Sequence, residues 1–154
     1  MLGIYEQKLA EQGITLPDAP APAANYVPYV LVGNILYVSG QISQNASGLI
    51  IGKLGGNMTT DQGAEAARFC AINLLAQVKS ACAGDLGQLV RVIKLTGFVN
   101  STPEFTEQPH VINGASDLMG SVLGEAGKHA RVAVSANSLP LGVAVEIDGI
   151  FQIA

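Results

Sequence analysis

The run Val32-Gly33-Asn34-Ile35-Leu36-Tyr37-Val38-Ser39-Gly40-Gln41 decides the fold. Gly33-Asn34 separates two apolar stretches, Tyr29-Val30-Leu31-Val32 and Ile35-Leu36-Tyr37-Val38. A two-residue loop of this composition is what the primed turns of β-hairpins prefer. The second stretch is almost wholly apolar, as a central strand covered on both faces would be. The core therefore opens with a hairpin, and Leu49-Ile50-Ile51, set between glycines, reads as a short third strand.

Downstream, the period changes from strand to helix. Ala64, Ala71, Leu75, Val78 and Cys82 form a stripe at helical spacing within a helix expected over residues 60–83. Thr59 and Gln62 match a capping box, and Gly84 stands where a glycine cap would end the helix. Residues 90–99 read as the next strand. Thr102-Pro103 has the form of a helix start, with proline at its first position. A second long helix is expected over 108–123, with Val111, Ala115, Leu118 and Val122 in register. Two strands, about 131–138 and 143–153, close the chain around Leu139-Pro140-Leu141-Gly142.

The order β-β-β-α-β-α-β-β carries no strict βαβ repeat and no glycine-rich phosphate loop after a strand. It describes an α+β domain with a single mixed β-sheet and two long helices on one face. Upstream of the hairpin, Leu2, Ile4, Tyr5 and Leu9 mark a short amphipathic helix, followed by a proline-rich connector from Leu16 to Ala24. The organisation is thus residues 1–25 as an N-terminal helix and connector, docked on a domain spanning 26–154.

Composition narrows the function classes. The 154 residues suit one domain, and charged residues make up only 13% against 49% apolar. Mean hydropathy is +0.36, which excludes disorder and implies that another subunit covers part of the apolar surface. A net charge of −4 has the wrong sign for general nucleic-acid binding, so a nucleic-acid partner is not expected. No apolar run reaches the roughly 18 residues of a membrane span, and the N-terminus lacks the basic and apolar regions of a secretory signal. Cys70 and Cys82 fall in one expected helix, roughly 18 Å apart at its rise, beyond disulfide reach. They read as buried small hydrophobes of a reducing, cytoplasmic compartment. His110 and His129 have no metal-ligand spacing, and no metal is expected.

What stands out is charge inside apolar strands. Arg131 begins Val132-Ala133-Val134, and Glu146 sits within Val143-Ala144-Val145-Glu146-Ile147. Such a group must be paired, solvated by a cleft, or in contact with a partner. If the last two strands form a simple hairpin about residues 140–142, Glu146 lies opposite roughly residue 136, and Arg131 is roughly 17 Å farther along. A shared pocket then needs long side chains, a bulge or a second chain.

These residues carry a resemblance. Tyr26, the run from Val32 to Gln41, Ala66-Ala67, Asn73-Leu74, Val92-Ile93-Lys94, Phe98-Val99, Ala130-Arg131, Leu139-Pro140 and Val145-Glu146-Ile147 are similar, in unbroken order, to the RidA/YjgF family of reactive-intermediate deaminases. The match covers residues 26–153, and the N-terminal extension resembles a longer subgroup labelled endoribonuclease. The resemblance implies a chorismate-mutase-like fold and a homotrimer with a cleft at each interface. It further implies cofactor-free hydrolysis of 2-imino or enamine acids to 2-keto acids and ammonia. By the same resemblance Arg131 binds the substrate carboxylate and Glu146 orients the water. Tyr26 lines the cleft, Gly40 turns its backbone to the ligand, and Asn113 stands near a cleft asparagine, one residue off in its spacing to Arg131. Many family deaminases carry a hydroxyl or thiol just after the arginine, where this chain has Val132 and Ala133. Three functions stay open: deaminase, non-catalytic binder of small carboxylate metabolites, and endoribonuclease. Net charge and the lack of a histidine pair weigh against the last.

Overall fold

The computed structural model describes residues 3–154. The N-terminal helix α1 covers Ile4–Glu11, and Leu2 of its expected stripe lies outside the described residues. The hairpin is as expected: β1 (Tyr29–Val32) pairs antiparallel with β2 (Ile35–Ile42), Val32 facing Ile35 across Gly33-Asn34. Of the two turn residues only Gly33 takes a positive φ, +61°, the pattern of a II′ turn.

The third strand differs from expectation. A small hairpin of β3 (Gln44–Asn45) and β4 (Gly48–Leu49) stands there, while Ile51 makes a single bridge to Val143. Helix α2 runs Thr60–Ala81 with both halves of the Thr59/Gln62 capping box formed. Its end is set one residue earlier than the glycine suggests. Ala83, at φ +53°, is the left-handed residue, and the Gly84 N–H donates to the Lys79 carbonyl.

Strand β5 (Leu89–Asn100) follows. Thr102-Pro103 does not start a helix: Pro103-Glu104 form a single turn, closed by the Phe105 N–H on the Thr102 carbonyl, and helical bonding begins only at Gln108. Helix α3 begins at Gln108, with Pro109 in its first turn, and ends at Leu123. Strands β6 (Ala130–Ala136) and β7 (Val145–Ile153) complete the fold.

The sheet order is β1-β2-β7-β5-β6. The closing strands are therefore not a hairpin: β5 lies between them, antiparallel to β7 and parallel to β6. Along β7, Val145, Ile147, Phe151 and Ile153 are buried beneath the helices, and Glu146, Asp148, Ile150 and Gln152 alternate onto the other face. The result is an α+β fold of one mixed sheet with α2 and α3 packed on one side. Leu9 and Ile14 join the core cluster and dock the N-terminal segment. No helix among the described residues is long and apolar enough to cross a membrane.

Register places the exposed apolar side chains. Val30 pairs with Tyr37, Tyr37 with Ile150, and Val132 and Val134 flank Thr96 and Phe98. All lie on the face carrying Glu146 and Asp148. Val30, Val32, Tyr37, Val132 and Val134 are each more than 40% exposed there. An apolar face of this extent is unusual on a monomer.

Candidate functional site

Strand β2 leaves its ladder at the site. From Val38 to Gln41 it takes three steps while β7 takes two, from Gly149 to Ile147, so Ser39-Gly40 form a bulge. The Ser39 hydroxyl donates to the Val27 carbonyl at 2.7 Å, and its N–H to Pro28, which fixes the chain beside Tyr26. Glu146 folds its carboxylate onto the bulge: a Cβ added at Gly40 would collide with Glu146 Oε2. The missing side chain at Gly40 is what admits the carboxylate.

Tyr26, Gly40 and Glu146 line one cleft of about 600 Å³, walled on another side by connector residues 20–24. The connector is held by Gln77, buried on α2, whose Nε2 donates to the Pro20 carbonyl at 2.7 Å. Burial, and then the like charge of Asp148, push the Glu146 carboxyl above its ordinary value. Such a carboxyl is a stronger base when ionised than a solvent-exposed glutamate.

Arg131 stands elsewhere. Pairing levels it with Leu95, and Leu95 with Gly149, so Glu146 is three residues along and two strands across. Their Cα atoms are roughly 14 Å apart, and the side chains leave opposite faces of the sheet. On the helix side, Arg131 Nη1 donates to Ser116 Oγ and Nη2 to the Pro109 carbonyl, each at 3.1 Å. Asn113 shares with it a shallow depression of about 340 Å³. Ala133, two residues on, packs against the core without a polar group.

The expected residues thus gather in two separate places, Tyr26 with Gly40 and Glu146, and Asn113 with Arg131. Among the described residues neither Arg131 nor Glu146 makes an ion pair. The intrachain salt bridge that would explain them structurally is not there. Burial pushes the Cys70 thiol well up and, with Asp85 nearby, raises Cys82, which suits packing rather than reaction. Among the described residues no three His, Cys, Asp or Glu side chains cluster as metal ligands would. Sequence reasoning missed Ser116 and His129, which touch Arg131 directly or through one bond. Ser116 falls three residues after Asn113 on the same helix, which is the only signal it left.

The α+β domain of one mixed sheet and two packed helices defines the class of fold, and the comparisons give the family. The chain belongs to the family described as "YjgF/chorismate_mutase-like, putative endoribonuclease", whose model matches residues 6–148. It is 50% identical over 153 residues to Protein TCP17 of Trypanosoma cruzi, covering 98% of this chain and 95% of that one. The crystal structure of Atu1372 from Agrobacterium tumefaciens superposes with TM-score 0.92 at 51% identity, over 98% and 93% of the two chains. A Shewanella oneidensis protein titled a "putative endoribonuclease" gives 0.93 at 33%, over 98% and 100%. TdcF of E. coli, solved with bound serine, gives 0.63 at 26%, over 88% and 94%.

Proposed function

We propose that the protein hydrolyses 2-imino or enamine acids to 2-keto acids and ammonia, in clefts completed between the protomers of a cytoplasmic homotrimer. One observation carries the reading. The two unpaired charged groups that the chemistry needs lie on opposite sheet faces of one chain, so they can serve one substrate only across a subunit boundary. One protomer supplies Tyr26, Gly40 and Glu146, and its neighbour Arg131 and Asn113. The open apolar face offers the contact surface, and serine in TdcF supports a small amino-acid-like ligand.

The chemistry asks little of the protein. Arg131 stays charged and grips the carboxylate through parallel N–H donors. A protonated imine, R–C(=NH₂⁺)–COO⁻, is already electrophilic, so holding it beside one water is the main task. Glu146 accepts a proton as the water oxygen bonds to C2, and returns it to nitrogen when the carbinolamine collapses. The C–N bond breaks as the hydroxyl oxygen closes the carbonyl, and the hydroxyl proton passes to the departing ammonia, leaving a 2-keto acid and ammonium. No redox step or cofactor enters this balance.

Ala133 favours a second reading, a non-catalytic binder that keeps Arg131 and loses turnover. The two separate in one experiment. Freshly generated imino acid is mixed with wild type, Arg131→Ala and Glu146→Gln, following keto-acid release and keto-acid binding. The expected result is faster release with wild type only. Arg131→Ala loses binding, and Glu146→Gln binds but loses kcat with little change in affinity. Binding without any acceleration over buffer would establish the binder and refute the deaminase.

A further inference from the structure

Arg131 is held at one end by a chain of hydrogen bonds whose proton positions follow from their partners. His129 Nδ1 lies 2.6 Å from the Gly127 carbonyl, which can only accept, so Nδ1 carries the proton. In the neutral ring Nε2 is then an acceptor, and Ser116 Oγ, 2.9 Å away, must donate its single proton to it. That leaves the Ser116 lone pairs for Arg131 Nη1, which donates at 3.1 Å. The Pro109 carbonyl holds Nη2 from the other side. Every donor in the chain has an acceptor, and no alternative orientation of the neutral ring satisfies Gly127.

We infer that Ser116 and His129 are positioning residues that lock the Arg131 guanidinium in the orientation in which it receives a carboxylate. The inference rests on the reading of Arg131 as carboxylate binder and adds residues that reading lacks. Two of the five guanidinium N–H groups are engaged by Ser116 and Pro109, so three remain for a ligand. A long arginine side chain otherwise loses rotamer freedom when it takes one geometry, a cost the relay meets before the ligand arrives. Ser116 is braced between a ring nitrogen and a guanidinium. With its lone pair turned to a cation it serves as a strut and not as a nucleophile.

Two readouts separate the brace from the carboxylate reading. The first is ¹⁵N NMR of the ligand-free protein, which reports rotation of the Arg131 guanidinium about its Nε–Cζ bond. Ser116→Ala and His129→Ala should each speed that rotation, and Ser116→Thr, which keeps the hydroxyl, should restore it. The second is calorimetric binding of 2-oxobutyrate. Ser116→Ala should raise Kd roughly tenfold, the size of one charge-assisted hydrogen bond's effect on orientation. Ser116→Thr should bind as wild type does. Alanine is the best helix former, so the substitution leaves α3 intact, and circular dichroism checks it. Unchanged rotation in Ser116→Ala overturns the brace, as does wild-type affinity in the same variant. If rotation responds but Arg131→Ala binds 2-oxobutyrate as wild type does, the brace stands as structure and the carboxylate reading falls.

Discussion

Glu146 and Arg131 owe their legibility to one contrast, a charge set in an otherwise apolar strand. That contrast pointed to both positions without fixing which face each leaves. The neutral pair Ser116 and His129 left no comparable mark, because a hydrogen bond between a helix residue and a loop residue 13 positions on has no period to follow. The environment of Glu146 makes its own prediction. Burial and Asp148 raise its folded pKa above the ordinary 4.5, so between those values the folded chain binds more protons than the unfolded one. Stability from this group is therefore full below the ordinary value and is lost as pH rises through the raised one. Glu146→Gln removes the titration. In urea unfolding across that window, wild type should lose stability relative to Glu146→Gln as pH rises. A constant difference would mean that Glu146 is as well solvated folded as unfolded.

At the scale of elements, the hairpin, α2, β5 and α3 were readable because each has a local signature: a Gly-Asn turn, a capping box, a continuous apolar run, a heptad-like stripe. The partners of β6 were not. Strands 130–136 and 145–153 follow one another in sequence, and the intervening Leu139-Pro140-Leu141-Gly142 imitates a hairpin turn. Yet an apolar strand such as the half-exposed edge strand β6 does not state its neighbours, and the connection is long enough to step past β5. Thr102-Pro103 misled for a similar reason, since proline marks a first helical turn and an isolated turn alike, and here the turn closes at Phe105 without continuing as a helix. The end of α2 gives a test. Ala83 is exposed and sits at φ +53°, where a Cβ is strained and glycine is not. Ala83→Gly should stabilise the protein by about 1 kcal/mol, read as a higher denaturation midpoint with unchanged slope. No gain would show that the turn relaxes without the left-handed residue.

For the whole molecule, the decisive fact is that one chain holds Glu146 and Arg131 in two separate places and leaves an apolar sheet face exposed. A sparsely charged sequence already implied a covering subunit, and the spacing of Arg131 from Glu146 already set them apart; β5 lying between their strands sets the separation across the sheet. Light scattering should give three times the chain mass at micromolar concentration, and a monomer would remove the interfacial cleft. The most direct measurement is complementation. Arg131→Ala and Glu146→Gln chains, each inactive alone, are unfolded together in equal amounts and refolded into mixed trimers. If each site takes Glu146 from one protomer and Arg131 from the next, a random mixture regains about one quarter of wild-type deaminase activity, because both intact halves meet at that frequency in a cyclic assembly. Activity no higher than that of the two parents, in mixed trimers verified by mass spectrometry, would contradict a site shared between protomers.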